Sequence, residues 1–396
     1  MAKFLFAGLL ASLSLGAFNC RVKADCNPFD PSCSILMALV EFDICRVPYW
    51  QVTDPLYAGE VQRELKRVAG RGITRGPSTS QFGTVPGAND WSGGILAPNG
   101  KIYGMPMTET RVLIIDPTTN TLDPNVITGL VGGANKWSGG ALAPNGLIYA
   151  APTAGLTQGI LVIDPRTNTA STLGTTDGYT GAILAPNGKI YMVPGNAGLR
   201  PILMLDPQNN SVQTFGPSRS GYVGGVLAFN GRIYLIPAGG TNEPILELDP
   251  TTNTTTFVGA TSAGEGWFSA ALAPDGKIYA ANIGATNQLR IDPETRAAIR
   301  FGPVGIAQDL EGNTLASNGK IYSVTRGGTQ FSEIDPAGPT QTKFGTSAAT
   351  WAGATLAPNG KIYGIPRNAT AALVIDPGSV ENLCPAILMS GYLNKL

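Results

Sequence analysis

The sequence predicts an all-β chain: a seven-bladed β-propeller of four-stranded blades, closed by an N-terminal strand and preceded by a short helical extension. Two observations predict it. One unit, Leu-Ala-Pro-Asn-Gly-Lys-Ile-Tyr followed by an apolar run ending Ile-Asp-Pro, recurs seven times, with turn glycines at Gly100, Gly146, Gly188, Gly231, Gly276, Gly319 and Gly360. Their mean spacing is about 43 residues, the size of one propeller blade. The composition agrees: Gly 51 and Pro 30 among 396 residues make about one residue in five a turn former, against roughly 12% in ordinary domains. With 43% hydrophobic and only 14% charged residues, the chain can bury a large core.

Each copy reads as four strands. Strand a is the stretch such as Gly139 to Pro144, and Asn145-Gly146 is the two-residue type I′ signal that returns the chain into strand b, Leu147 to Pro152. Strand c is Ile160 to Ile163. Asp164-Pro165 then opens a turn into a Thr-rich strand d that ends Phe-Gly in several copies. Small residues crowd strand a (Gly139, Gly140, Ala141, Ala143), as expected where inner strands converge on an axis. The seventh copy lacks its Thr-rich strand, while an orphan copy, Ser78 to Gly83, precedes the first complete unit. That strand is expected to complete the seventh blade and tie the ring's ends together.

Ahead of the ring, Met1 to Lys3 is a short basic start and Phe4 to Phe18 an uncharged apolar stretch, the layout of a secretory signal. Two exits remain open: lipidation at Cys20 after Leu15-Gly16-Ala17-Phe18-Asn19, or cleavage after Ala24. Either removes Cys20 from the thiol pool and leaves Cys26, Cys33, Cys45 and Cys384, an even number that suits disulfides in an exported protein. A Cys45 to Cys384 bridge would staple the ring's ends; the alternative is a local Cys26 to Cys33 bridge with the other two free. Ser34 to Ile44 is an apolar run, and a helix is expected over Pro55 to Ala69, with Asp54 as N-cap, Gly70 at C′ and Leu56, Val61, Leu65 and Val68 in one stripe. The expected organisation is a signal over 1–19, a lipidated cysteine, tether and helical extension over 20–78, the propeller over 79–383 and a tail over 384–396.

Lys+Arg 27 against Asp+Glu 27 gives no net charge, so there is no electrostatic footprint for nucleic acid. His 0 removes Ser-His-Asp and Cys-His catalysis and every histidine metal site. No cofactor is expected. The Asn-Gly and Asp-Pro turns barely change between copies, and the seven aspartates Asp116, Asp164, Asp206, Asp249, Asp292, Asp335 and Asp376 read as turn caps. The b–c and d–a loops, on the opposite face, vary freely, which is where a rigid scaffold carries recognition.

Three sets of residues stand out as site candidates. Trp91, Trp137, Tyr179, Tyr222, Trp267 and Trp351, with Leu310 as the exception, recur where strand a begins, near the channel mouth. They would form either an aromatic rim for a sugar or flat ligand, or packing between blades; recurrence in nearly every copy favours packing. Lys101, Lys189, Arg232, Lys277, Lys320 and Lys361, with Leu147 breaking the series, make a basic ring on the turn face, open to polyanions or lysine-binding modules or simply solvated. The sixth copy departs from the pattern with Asp309-Leu310-Glu311-Gly312-Asn313, so that Asp309 and Glu311, with Asp90, Asp177 and Glu265, are oxygen ligands of the type Ca²⁺ takes, though solvated loop carboxylates are the commoner case.

The repeat over residues 79 to 376 is similar to the seven-bladed propeller repeats of bacterial secreted proteins. Together with Asn19-Cys20 and the segment Cys26-Asn27-Pro28-Phe29-Asp30-Pro31 to Cys33, the whole resembles leptospiral surface lipoproteins that carry a propeller. The resemblance implies an outer-membrane lipoprotein exposed at the cell surface, touching the membrane through its lipid anchor alone, with relatives that bind extracellular-matrix proteins and plasminogen. No motif of that family carries over residue by residue, and the last residue is Leu396 rather than lysine. The expected function is non-enzymatic protein binding. A propeller enzyme of the Ca-dependent lactonase or lyase kind, or a periplasmic envelope scaffold, are the alternatives; propeller lyases and lactonases generally place a histidine at the channel, and this chain has none.

Overall fold

Why the inner strands are buried at nearly every position, rather than alternately, is answered by their surroundings. Each blade is a four-stranded antiparallel sheet in the order a-b-c-d, and seven of them make the ring. Both faces of a blade pack against neighbouring blades, so strands b and c carry near-continuous apolar runs. In blade 1, strands a (Trp91–Leu96) and b (Ile102–Pro106) are buried throughout and strand c (Val112–Asp116) is buried except at its last residue. Only the outermost strand d alternates, as in Thr169–Leu173 of blade 2. The computed structural model describes residues 76–378 apart from 86–89, 154–157, 239–242, 260–265, 283–286, 303–308 and 317. No helix occurs among the described residues. The five cysteines, the candidate lipidation site at Cys20, the expected helix from Pro55 and the tail fall outside them.

The ring closes as the orphan strand requires. Ser78–Phe82 pairs antiparallel with Ala372–Asp376, Ser78 opposite Asp376 and Phe82 opposite Ala372, so the N-terminal strand is strand d of blade 7. Phe82 meets the strand-b Tyr363 edge-on at 5.9 Å, as Phe215, Phe301 and Phe344 meet Tyr191, Tyr279 and Tyr322 in their own blades. The Phe-Gly ending therefore has a packing role: its ring covers the tyrosine of its own blade.

At the axis, strands a approach one another backbone to backbone. A Cβ on Gly353, whose φ is +89°, would lie 2.7 Å from the Cα of Gly93 in the next blade. Hydroxyls bridge the same gap: Thr314 Oγ1 donates to Ala354 O at 2.6 Å and Thr355 Oγ1 to Gly94 O at 2.8 Å.

The a–b connection differs from the expected type I′ turn. Gly100 N donates to Ala97 O and Ala97 N to Lys101 O, both at 2.9 Å, and of the loop residues only Gly100 has positive φ. This is a type I turn followed by a glycine bulge, a three-residue loop. Proline explains the difference: Pro98 fixes φ near −65° at the first corner, and Asn99 follows in the right-handed region.

Candidate functional site

The two ends of the channel are built from different chemistry. On the turn face, the invariant residues hold each blade to the next. Asn99 Nδ2 donates to Tyr103 OH in its own blade at 2.9 Å and to Pro165 O in blade 2 at 3.0 Å, and Tyr103 OH donates to Asn168 Oδ1 at 2.7 Å. The same latch joins Tyr149 to Asn210, Tyr191 to Asn253 and, across the closure, Tyr363 to Asn120 at 2.7 Å. All four acceptor asparagines take positive φ, a conformation asparagine tolerates better than most residues. The seven aspartates are turn caps: each accepts the backbone N–H two residues on, as Asp116 Oδ1 does from Thr118 at 2.9 Å and Asp206 Oδ1 from Gln208 at 3.0 Å.

Those aspartates also neutralise the basic ring. Lys189 lies 3.7 Å from Asp206, Arg232 3.3 Å from Asp249, Lys277 2.6 Å from Asp292, Lys320 3.8 Å from Asp335 and Lys361 4.0 Å from Asp376. Strand pairing requires it: Ile190 stands opposite Leu205, which sets Lys189 beside Asp206 at the end of the same ladder. Lys101 alone of the six has no carboxylate within 4.0 Å among the described residues. Five of the six cations of the ring are thus paired with the turn aspartates.

Of the two readings of the aromatic positions, burial supports packing. Trp91, Trp137, Trp267 and Trp351 are fully buried, as are Tyr179 and Tyr222, so no ring face is open to a ligand. Their polar atoms fasten the end of the b–c loop. Trp91 Nε1 donates to Arg111 O at 2.8 Å, Trp137 Nε1 to Gly159 O at 2.9 Å, Trp351 Nε1 to Ala371 O at 3.1 Å, and Tyr222 OH to Pro244 O at 2.9 Å. A buried indole needs such a partner, which is why the position keeps a large ring with one polar atom.

On the loop face, a girdle of backbone hydrogen bonds of 2.7–3.2 Å runs around the mouth through blades 1 to 4, from Asp90 by way of Met107, Lys136, Thr153, Gly178, Gly195 and Gly221 to Ala238. It alternates between the residue before strand a and the residue after strand b. Between blades 6 and 7 the girdle is interrupted. Arg326 N and Arg367 N still bond within their blades, to Asp309 O and Thr350 O, but Thr350 N turns instead to Asn368 Oδ1 at 3.0 Å. No backbone bond joins Arg367 to Asp90 among the described residues.

Ionic side chains stand at this gap. Glu311, on strand a of blade 6 (Leu310–Leu315), is 1% exposed. Its Oε2 lies 3.2 Å from Arg326 Nε and 3.6 Å from a terminal nitrogen of Arg367, while Asp90 Oδ1 lies 4.0 Å from Arg367 Nε. Neither Glu311 Oε2 nor Asp90 Oδ1 accepts a hydrogen bond. Burial raises the Glu311 pKa to about 7, with Arg326 and Arg367 opposing the rise and Asp90 adding to it. Burial also raises Asp90, against Arg367, Arg326 and Lys136. Lys136 is wholly buried, donates to Gly133 O at 3.0 Å, and is lowered by burial although Glu109 and Asp90 oppose that. The Arg326 guanidinium also covers the Phe268 ring at 4.3 Å.

Of the two calcium candidates, Glu311 already faces two guanidiniums, and Asp309 uses its backbone carbonyl to hold Arg326. No group of three or more metal-type side chains forms among the described residues. The sixth copy's departure from the repeat puts Glu311 beside two cations, Arg326 and Arg367, that the sequence reading does not include. Comparing copies at the position after strand b would have found them, since Met107, Thr153, Gly195 and Ala238 occupy it elsewhere.

The chain is therefore a seven-bladed, four-stranded β-propeller with a latched turn face and an ionic seam in its loop face. No family model matches it, and no curated protein matches it in sequence. Among solved structures, a streptogramin B lyase aligns with a TM-score of 0.63 at 14% identity, covering 77% of this chain and 99% of that one. A catalytically inactive histidine-to-alanine variant of virginiamycin B lyase from Staphylococcus aureus, with quinupristin, aligns with a TM-score of 0.64 at 12% identity, covering 76% and 99%. Hydrazine synthase of Kuenenia stuttgartiensis aligns with a TM-score of 0.57 at 14% identity, covering 73% and 97%. At such identities the likeness is one of fold.

Proposed function

We propose that the chain is a non-enzymatic binding protein, an exported lipoprotein anchored through Cys20, whose propeller presents its loop face to a partner, with host extracellular-matrix proteins and plasminogen as the partners to test. The contrast between the faces carries this reading. Invariant residues of the turn face are used in latches and ion pairs, whereas the loop face varies from blade to blade, leaves charges without hydrogen bonds, and exposes Leu199 (67%) and Val131 (50%). Exposed apolar residues beside variable loops on a rigid frame are what a recognition surface offers.

A second reading, a propeller enzyme of the lyase kind, is favoured by one observation, the buried Glu311 with a pKa near neutrality. Against it stands the inactive lyase variant, in which a single histidine is replaced; this chain contains no histidine to supply the equivalent group.

The test is capture of immobilised matrix proteins and of plasminogen by the purified full chain. Leu199→Asp with Val131→Asp is expected to weaken capture at least tenfold, while Lys189→Ala with Lys277→Ala and Lys361→Ala leaves it unchanged. Capture by no partner at micromolar concentration, or loss through the lysine variant alone, overturns the reading.

A further inference from the structure

The ionic seam is incomplete as it stands. Arg326 and Arg367 reach the surface at the mouth, with side chains 27% and 26% exposed, yet neither guanidinium makes a hydrogen bond among the described residues. Their contacts to Glu311 and Asp90 are ion pairs of 3.2–4.0 Å, and the two facing acceptor atoms are buried without donors. Buried polar groups are normally satisfied; here they are not because Arg326 Nε, 3.2 Å from Glu311 Oε2, is not aligned to bond it, and the guanidinium donors stay unspent. Three cations, Arg326, Arg367 and Lys136, face three acids, Asp90, Glu311 and Asp309, while Glu109 is paired with Arg111 at 3.0 Å. The seam is balanced in charge, and what it leaves unused are the planar donors of two guanidiniums.

We infer that this mouth binds a carboxylate carried by a ligand, held between the Arg326 and Arg367 guanidiniums where the backbone girdle is interrupted; the inference rests on the reading of the loop face as the binding face. Arginine forks match the planar two-oxygen geometry of a carboxylate and hold it with paired, charge-assisted bonds. Glu311 occupies the same two guanidiniums and so competes with the ligand. Taking up a proton removes that competition and turns Glu311 into a donor. The charged groups that face it are Arg326 and Arg367 from the loops of blades 6 and 7 and Asp90 ahead of blade 1, with Asp309 beside Arg326. Since burial places its titration near pH 7, carboxylate binding should strengthen as pH falls from 8 to 6.

Calorimetric titration of the full chain with galacturonate, galactose, succinate and inorganic phosphate at pH 6 and pH 8 tests this. Galacturonate and succinate are expected to bind and galactose not, with affinity up to about tenfold higher at pH 6, the change in protonated fraction of a group titrating near 7. Arg326→Gln with Arg367→Gln should abolish binding. Should that variant fail to fold, Glu311→Gln gives an independent reading: tighter binding at pH 8 and no dependence on pH. Carboxylates binding no better than galactose, phosphate binding tighter than either carboxylate, or a weakened Glu311→Gln overturns the inference. Capture of matrix proteins by the Arg326→Gln, Arg367→Gln chain separates the two readings: capture retained while carboxylates fail to bind the parent removes this inference alone.

Discussion

The turn-face latches and the loop-face seam respond differently to sequence change. Where a latch loses its asparagine, an acid in the tyrosine's own blade takes over as acceptor. Arg296 stands in the asparagine position of blade 5, and there Tyr234 donates to Glu247 at 3.0 Å, with Arg296 bonding the same carboxylate at 2.8 and 3.1 Å. Burial pushes Glu247 up, but its bonds from Arg296, Arg232 and Tyr234 hold it below the usual range, while Tyr234 is raised to about 12. Pro339 takes the position in blade 6, and Asp275 replaces the turn asparagine and accepts from Tyr279 at 2.9 Å. Val380 takes it in blade 7, and Glu333 accepts from Tyr322 at 2.8 Å. On the turn face the requirement is for a bond, whichever residue makes it. At the seam no described residue replaces the interrupted girdle, and Glu311 Oε2, Asp90 Oδ1 and the two guanidiniums have no hydrogen bond among the described residues. A structural site is completed by its own blades; a site left incomplete by them is where an outside group fits.

The largest test of this contrast lies in the aromatics that the sequence placed at the mouth. If they are structural, Trp351→Ala should cost about 3–5 kcal/mol, the usual range for a buried tryptophan, measured by denaturant unfolding. The same substitution in an open rim would leave stability within ~0.5 kcal/mol. Trp351 is fully buried against Phe331, whose ring centre lies 5.7 Å away.

Next comes the seam itself. An acid whose pKa rises from 4.5 unfolded to about 7 folded binds more protons in the native state between those values. Stability therefore falls as pH rises from about 4.5, and the loss is complete above about 7. For a wholly buried group the span is on the order of 3 kcal/mol. Glu311→Gln should flatten this part of the profile, read as the difference between parent and variant unfolding free energies at pH 5 and pH 8. A parallel pair of profiles would place Glu311 among ordinary solvated carboxylates.

Removing one latch should cost less. Tyr363→Phe leaves Asn120 Oδ1 without its donor and takes a partner from Asn359, across the junction of blades 7 and 1. The expected loss is about 1–3 kcal/mol. Tyr279→Phe, where an acid has replaced asparagine, should fall in the same range if the bond and not the residue type matters.

The repeat made the ring legible because both its ends are written in residues with a fixed local meaning. Asn-Gly, Asp-Pro and the terminal Phe-Gly each define a turn or a cover, and the displaced strand Ser78–Phe82 showed how the ring closes. Asn99-Gly100 taken as a pair suggests a type I′ turn, but Pro98 ahead of it fixes the first corner and selects type I with a glycine bulge. The lysine and aspartate series lie about fifteen residues apart in each copy, and only the antiparallel register of strands b and c makes them partners. The seam was harder to see. Asp90 and Arg367 lie at opposite ends of the repeat array and meet only through closure, so no local periodicity joins them.

The smallest expected effect separates the two faces most directly. Lys361 lies 4.0 Å from Asp376, 40% exposed, in a pair that water screens. Lys361→Ala should change unfolding free energy by about 0–1 kcal/mol, less at high salt, and leave partner capture untouched. A ring of such pairs, each worth little, contributes chiefly by leaving little free charge on the turn face, with Lys101 the exception. If Lys361→Ala or its equivalents weakened capture, the turn face would be a binding surface in spite of its paired charges, and the division of labour between the two ends of the channel would fail.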